Sequence, residues 1–233
     1  MTKALHLVHL DEEIVAIDKP PGLLVHPTAL DAHEESSALK LLREQLGQWL
    51  WPLHRLDKGT SGVLLFARSA EAARRWSAAF EAGRVSKRYL ALVRGWPPAH
   101  GEIAQPLARD PELPSAGQPR LESLTRYTRL ACHEWPFTVD ARHATSRYAL
   151  VAAEPVTGRR HQIRRHFKHI AHPLVGDATH GKGVHNRAVA GWLGVQRLWL
   201  HAESVELQHD DGRVLRIVAP CGPEWQPLLA HAA

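Results

Sequence analysis

Residues 54–62 read His54-Arg55-Leu56-Asp57-Lys58-Gly59-Thr60-Ser61-Gly62, and a mostly apolar segment follows them to residue 68. The run is rich in turn residues, and its one carboxylate, Asp57, stands among His54, Arg55 and Lys58. Neighbouring positive charge favours the ionised form of a carboxylate. We therefore expect an ionised Asp57 at the mouth of a buried strand, where it could act as a nucleophile or a general base. The alternative is an Asx-turn residue that only holds the loop.

The pattern around this loop predicts alternating strands and helices. The apolar segment at 62–68 indicates a central strand, and a helix is expected at 69–83, since Ser69 can cap its start and Gly83 can end it. Further strands are predicted at 5–10, 13–18, 23–26, 85–94, 123–130, 147–154, 197–208 and 214–218, and further helices at 36–46, 159–171 and 224–231. This order indicates an α+β fold: a single domain over 1–233 with a mixed, mainly antiparallel sheet flanked by helices and loops, and a loop-rich insertion near 97–120.

The composition is that of an ordinary globular protein. Of the 233 residues, 44% are hydrophobic and 23% are charged, which excludes disordered and low-complexity architectures. Two cysteines are too few for a disulfide framework, and we expect Cys132 and Cys221 to be free thiols in a reducing compartment. No apolar run approaches the ~20 residues that a membrane helix needs. We expect a cytoplasmic protein with no membrane partner.

Positive charge is concentrated at 157–169, which holds five Lys or Arg side chains and three histidines without a carboxylate. Like charges four residues apart on a helix repel each other, so we expect an anionic partner to neutralise the segment. Arginine outnumbers lysine 22 to 7 in the whole chain, and its planar fork suits phosphate. Arg159, Arg160, Arg165 and Lys168 are the candidate RNA contacts. The alternatives are a basic surface helix without a ligand and an arginine bias that reflects a GC-rich genome.

The histidines of this region do not form a metal-binding pattern. His161, His166, His169 and His172 are spaced five, three and three residues apart, and no cysteine lies near them. This spacing matches no common ligand motif. A P-loop and a glycine-rich dinucleotide turn are also lacking in the sequence. We therefore expect neither a metal nor a cofactor.

Residues 87–95 read Lys-Arg-Tyr-Leu-Ala-Leu-Val-Arg-Gly and place Tyr89 between two cations and an apolar strand. An aromatic ring in this setting can stack on a nucleobase and keep its hydroxyl group close to the reacting atoms. The alternative is an ordinary half-buried tyrosine of a strand.

Four motifs, in this order along the chain, resemble the RluA-type RNA pseudouridine synthases. They are Lys-Pro-Pro-Gly-Leu-Leu-Val-His at 19–26, the run at 54–62, the segment at 87–95, and Thr-Gly-Arg-Arg-His-Gln-Ile-Arg-Arg-His at 157–166. From the first motif to the last they span residues 19–166, which is most of the chain. The stretch at 169–202 is similar to the branch of the family that modifies uridine 65 of certain tRNAs. The resemblance implies the pseudouridine synthase fold, and we expect no separate S4 RNA-binding module.

The resemblance also implies a catalytic role for three residues. Asp57 matches the catalytic aspartate of the family. Tyr89 matches the tyrosine that stacks on the target base. Arg164 matches the basic residue that pairs with the aspartate and keeps it ionised once water is expelled from the site.

Other matching residues are implied to contact the substrate. Arg55 matches an arginine that enters the RNA stack as the uridine leaves it. Ile163 would pack against the pocket, and His54 belongs to the same group of substrate contacts. The pair Lys58-Gly59 departs from the residues that more often follow the aspartate, and this departure could loosen the loop.

The implied reaction is an isomerisation. The N1–C1′ bond of a uridine breaks and the uracil rejoins the sugar through C5, so no redox cofactor, nucleotide or metal is needed. Asp57 acts either as a nucleophile at the sugar or as a base that removes a sugar proton. The implied partner is tRNA, bound by a monomer. The alternatives are an rRNA enzyme of the same family, a non-catalytic RNA-binding protein, and a metal-dependent nuclease that uses the histidines.

Overall fold

A computed structural model describes residues 4–26 and 36–230. The chain divides into two compact units. The first unit comprises residues 1–87 and 201–220, and the second comprises residues 88–200 and 221–233. The second unit is therefore inserted, along the sequence, between two parts of the first. The prediction that residues 1–233 act as one catalytic domain stays a prediction.

The first unit contains most of the strands of a mixed sheet and two helices. Its elements are β1 (His6–Leu10), β2 (Ile14–Lys19), α1 (Ala38–Leu46), β3 (Trp51–Pro52), β4 (Ser61–Ala67), α2 (Ala70–Glu81), β11 (Leu200–Gln208) and β12 (Val214–Val218). The strand order is β1-β2-β4-β11, with β3 paired to β4 and β12 to β11. All of these pairs are antiparallel except β4–β11, which is parallel.

Helix α2 shows why the first unit folds as the sequence predicts. The Ser69 hydroxyl accepts the backbone N–H of Ala72 at 3.0 Å and caps the helix start. The helix buries Ala72, Trp76 and Ala79 on one face, in a core shared with β2 and β4. The Trp76 indole N–H donates to Glu13 at 3.1 Å. Burial of this apolar face, more than helix propensity, stabilises the segment.

Strand β4 is buried at every residue and begins directly after the loop at 54–60. Gly62 lies in it with φ +105, and a Cβ atom there would stand 2.2 Å from the backbone oxygen of Ala202 in β11. Next to it, the His201 Nε2–H donates to the Ala219 carbonyl at 2.9 Å, so Nδ1 accepts the Ser61 hydroxyl at 2.9 Å. The end of the loop is thus seated closely on a neighbouring strand.

Replacing Gly62 with Ala is expected to destabilise the protein by about 3 kcal/mol, because the side chain adds both backbone strain and a clash with Ala202. Gly212→Ala is the matched control, since Gly212 also has positive φ (+83) but meets nothing within 4 Å. Urea unfolding measures both changes in the free energy of unfolding. Equal losses for the two variants would contradict the close-approach explanation.

The second unit contains an antiparallel sheet and three α-helices. Its elements are β5 (Val85–Arg94), β6 (His100–Ile103), β7 (Leu107–Ala108), β8 (Arg120–Leu121), β9 (Thr125–Trp135), β10 (Ser146–Pro155), α3 (Gln162–His169), α4 (Gly183–Leu193), a 3-10 turn (Pro223–Trp225) and α5 (Gln226–Leu229). The sheet order is β5-β10-β9-β6, and β7 pairs with β8 separately. Trp199 and Trp225 pack edge to face in its core, with ring centroids 5.1 Å apart.

The structure confirms the α+β class with a mixed, mainly antiparallel sheet, but it differs from the sequence prediction at two points. Residues 23–26 are not a strand, because the carbonyls of Leu24 and Val25 accept N–H groups at the start of α1. The segment 97–120, expected to be loop-rich, contains β6, β7 and the first residue of β8. Helix α4 was not predicted. Within the described residues, no helix is both long and apolar enough to cross a membrane.

Candidate active site

The loop at 54–60 is held within the first unit by hydrogen bonds of its backbone. The Thr60 N–H donates to the Asp57 carbonyl at 3.0 Å, which closes a turn over Lys58 and Gly59. The Lys58 carbonyl in turn accepts the Gly22 N–H at 2.8 Å. Asp57 itself is half-buried between the buried Leu56 and Thr60. The loop therefore presents the Asp57 carboxylate from a braced backbone.

Lys19 is a second brace of this loop, and the sequence did not single it out within its motif. It is fully buried, at 0% exposure, yet its ammonium donates to three carbonyls: Pro20 and Leu23 at 2.8 Å, and Lys58 at 3.1 Å. Three oxygen acceptors match the three N–H bonds of an ammonium group. The Lys-Pro-Pro-Gly turn is thereby tied to the loop that carries Asp57.

His54 takes part in the packing of the first unit. Its Nε2 accepts the Leu65 backbone N–H at 3.2 Å, and its ring lies 5.7 Å from the Phe80 ring. Burial, together with the nearby Lys87, lowers the pKa of His54 to about 3. The ring is therefore neutral at physiological pH. Arg55 beside it is exposed.

Tyr89 and Ile163 are both buried in the second unit, at 7% and 6% exposure. Tyr89 lies on β5 opposite Ala153 of β10. Ile163 lies in the first turn of α3, which begins at Gln162 and not at 159 as the sequence predicted. The reason is His161, whose left-handed backbone (φ 53) separates the helix from the turn before it.

Arg164 forms a buried, two-pronged ion pair with Asp177. Its Nε donates to Oδ2 at 2.7 Å and its Nη2 to Oδ1 at 2.8 Å, and the two side chains are 9% and 0% exposed. The backbone N–H groups of Thr179 and His180 also donate to Asp177, each at 2.9 Å. Burial raises the pKa of Asp177, but the Arg164 bonds and charge outweigh it and hold the pKa below its usual value. Asp177 is thus an ionised anchor for Arg164.

Two histidines adjoin this ion pair. A hydrogen bond of 3.2 Å joins His161 Nδ1 to His180 Nε2. Burial lowers the pKa of His180 to about 4, with Arg164 and His161 acting in the same direction against the attraction of Asp177. His180 is therefore neutral and lies beside the ion pair of Arg164 and Asp177.

The remaining cations of the 157–169 segment are partly satisfied within the protein. Arg160 forms ion pairs with Asp110, at 3.3 Å, and with Glu112. Arg165 donates to the Ala108 carbonyl at 2.9 Å, and burial lowers its pKa. Arg159 donates to a backbone carbonyl, whereas Lys168 is exposed. The carboxylates come from a distant segment, which the spacing along the helix could not reveal.

The low pKa values of His54 and His180 predict an acid-labile fold. Both pKa values are depressed from 6.5, to about 3 and about 4, so below pH 6.5 the unfolded chain binds protons that the folded chain does not. The contribution of these two histidines to stability is therefore constant above pH 6.5 and falls as the pH drops towards 4, by up to about 1.4 kcal/mol per pH unit and histidine. Urea unfolding at pH 7.5, 6 and 5 measures the slope. A flat profile, or a His180→Asn variant with the wild-type slope, would contradict this assignment.

Among residues 4–26 and 36–230, no three His, Cys, Asp or Glu side chains come together in a way that could hold a metal ion. The histidine pair of His161 and His180 has Asp177 nearby, but both oxygens of that carboxylate are engaged by Arg164.

Known proteins are similar to this chain over nearly its full length. The family profile described as RNA pseudouridylate synthase matches residues 13–169. The tRNA pseudouridine synthase C of Haemophilus ducreyi is 42% identical over 96% of this chain and 94% of its own length. The protein of the same name from Vibrio cholerae is 40% identical over 97% and 95%. Among solved structures, human RNA Pseudouridylate Synthase Domain Containing 1 is similar with a TM-score of 0.74 and 26% identity, over 97% of this chain and 86% of that one.

Proposed function

Because the chain belongs to the RNA pseudouridylate synthase family, we propose that its substrate is tRNA and that it isomerises uridine 65. The observation that carries the proposal is the similarity to proteins named tRNA pseudouridine synthase C, at 40–42% identity over 96–97% of the chain. That coverage includes the stretch 169–202, which resembles the tRNA-modifying branch. A positively charged chain, with a net charge of +5, suits an RNA substrate.

We assign Asp57, Tyr89 and Arg164 to the chemistry on the basis of their motifs. The uridine must leave its stack, at a cost of a few kcal/mol that RNA contacts offset. Arg55, which is exposed, would take the place of the base in the stack. Asp57 would either bond to C1′ as the N1–C1′ bond breaks, and leave again when the C5–C1′ bond forms, or remove a sugar proton and return it once the C5–C1′ bond has formed. The C5 proton is then lost to water and N1 gains one, so the atoms balance without a cofactor.

In this proposal Asp177 is a positioning residue for Arg164. A guanidinium has a planar fork of donors, and a two-pronged carboxylate fixes that plane. The bonds at Nε and Nη2 therefore set the direction of the remaining terminal nitrogen. Without such a partner, burying the arginine charge would cost free energy, and the side chain could rotate. Arg164 can stabilise a carboxylate or a developing charge only when it is held in place before the reaction.

Pseudouridine mapping tests the proposed substrate. tRNA and rRNA are isolated from a strain that lacks the gene and from the same strain carrying it, and carbodiimide-dependent primer extension locates each pseudouridine. We expect a stop at tRNA position 65 that depends on the gene and is absent with the Asp57→Asn variant. A gene-dependent stop in rRNA alone would replace the tRNA proposal with the rRNA alternative.

We further propose that residues 1–233 act as one catalytic domain and as a monomer, in the cytoplasm where tRNA is found. Light scattering coupled to gel filtration should give a mass near 26.0 kDa for the free protein. A mass of twice that value for the free protein would contradict the monomer.

A further inference from the structure

A basic cleft of about 590 Å³ lies in the second unit, at the end of β5 and the start of β10. It is lined by Arg94, Arg142, His143, Arg147, His185 and Asp140, among others, and we call it the Arg94 cleft. Its volume falls within the range of about 300–1,000 Å³ that is typical of ligand sites. Arg94 and Gly95 end the 87–95 motif, and the other lining residues lie outside the four motifs. The catalytic roles assigned to Asp57, Tyr89 and Arg164 do not account for this cleft.

The charge of the cleft is positive. Among its lining residues, all of them in the described part of the chain, three arginines face one carboxylate, that of Asp140. The Asp140 carboxylate is already engaged by the Arg142 backbone N–H at 2.9 Å, and the Arg142 side chain stands 3.9 Å from it. Arg147 lies 3.3 Å from Glu134 at the cleft's margin. Even with Glu134 included, the three guanidinium groups outnumber the carboxylates.

Paired strands and a helix hold part of the lining in place. The strands β5 and β10 pair with Arg94 opposite Tyr148, and the Gly95 N–H donates to the Arg147 carbonyl at 2.7 Å. The Tyr148 hydroxyl is hydrogen-bonded to His185 Nδ1 at 2.8 Å, which fixes the imidazole ring on its helix. Asp140, Arg142 and His143 lie in the loop between β9 and β10. The strand-borne part of the site is formed before the ligand arrives, and this lowers the entropy cost of binding.

The margin of the cleft adds an aromatic surface. The Arg147 guanidinium lies over the Trp96 ring, 4.4 Å from its centroid, and Trp96 is 36% exposed. Arginine stacked on an aromatic face combines a phosphate-binding fork with a flat apolar surface. That pairing suits a polyanion that carries sugars and bases, and it suits an acidic peptide less well.

The cleft is remote from the tyrosine assigned to the target base. Arg94 follows Tyr89 by five residues along β5, which is about 17 Å at ~3.3 Å per residue. Successive side chains of a strand point to opposite faces, so this odd separation places Tyr89 and Arg94 on opposite faces of β5. The Arg94 cleft is therefore a surface separate from the face that carries Tyr89.

We propose that the Arg94 cleft binds the phosphate backbone of the substrate RNA, on the face of β5 opposite to the one that carries Tyr89. The inference rests on the proposed function only in taking RNA as the substrate. The cleft would hold the RNA at a second point, outside the site where bonds break and form, and would thereby fix the position of the RNA on the protein. Phosphate contacts fix the position of a protein on a nucleic acid without reading its sequence.

Paired charge removals test the cleft. Arg142→Gln and Arg147→Gln are combined, since these side chains are 85% and 58% exposed and their loss should not impair folding. The control combines Arg126→Gln and Arg213→Gln, which are 58% and 78% exposed and outside the cleft, and which lower the net charge equally. Filter binding of an unmodified tRNA transcript is measured from 50 to 300 mM salt, over which the Debye length falls from about 14 Å to about 6 Å.

The cleft variant should bind tRNA about tenfold more weakly than the control, and KM should rise with Kd. The log–log salt slope should become shallower by about 1.4–1.8, since each phosphate contact contributes about 0.7–0.9. A Kd and slope equal to those of the control would overturn the proposal. Wild-type protein that forms no pseudouridine in tRNA would instead overturn the proposed function, so the two failures are distinguishable.

Discussion

Asp57→Asn is expected to lower kcat on tRNA by about 10⁴-fold or more, as removal of a central catalytic group does in other enzymes. The change removes the negative charge that either role of Asp57 requires, while it keeps the size of the side chain and the backbone turn to Thr60. RNA binding should therefore change by less than about threefold, because a group that reacts contributes little to ground-state affinity.

Tritium release from tRNA labelled at C5 of uridine measures this turnover directly, since the C5 proton leaves in every reaction cycle. Glu44→Gln is the matched control: it removes an exposed carboxylate of the same unit, on α1, away from the loop. An Asp57→Asn protein that keeps more than a tenth of the wild-type rate would show that the 54–62 run is not the catalytic loop.

Asp177→Asn is expected to give the second largest effect, a loss of about 10²-fold in kcat with a nearly unchanged KM. Misplacing a catalytic group by about 1 Å can cost that much. Asn retains one oxygen that can accept from Arg164, but it loses the two-pronged geometry and the charge. Arg164 would then sit in a buried site without its counter-charge, and its orientation would no longer be set.

A matched control separates positioning from stability. Glu224→Gln breaks another ion pair of the second unit, Arg197–Glu224, whose side chains are 5% and 23% exposed. Both variants should lose stability, but only Asp177→Asn should lose kcat. In a cycle with Arg164→Lys, the double variant should be little slower than either single variant, because both changes impair one group. Additive losses, or a kcat loss in Glu224→Gln as large as that in Asp177→Asn, would refute the role of Asp177.

Local signals predicted the fold well where caps and periodicity were clear. The bounds of β5 and β12 agree with the predicted strands at 85–94 and 214–218, and α2 begins after its Ser69 cap. Helix α4 was missed because its buried residue is Val189 alone, so its apolar face is too narrow to produce a helical pattern. Helices and strands could be predicted where one of their faces packs on a core, because the apolar residues of that face repeat with a regular period. They could not be predicted where such a face is missing.

The sequence predicted the motifs that form the candidate site, but not the ion pairs that connect their residues to other segments. The sequence indicated Asp57, Tyr89 and Arg164, and it placed five cations together at 157–169. It could not show that Asp177 anchors Arg164 or that Asp110 faces Arg160, since these partners are 13 and 50 residues away. Ion pairs between distant segments depend on the tertiary fold, and residue spacing along one helix carries no information about them.

The inserted order of the two units has a consequence for biosynthesis. Residues 201–220 belong to the first unit, although the whole of 88–200 is translated before them. At ~5–20 residues per second, the N-terminal strands wait about 6–23 s for β11. During that delay the Ser61–Gly62 end of β4 lacks its parallel neighbour, and an open strand edge invites mispairing with other chains. Ribosome pausing within 88–200 should therefore reduce the yield of native enzyme, without altering a single residue that touches RNA.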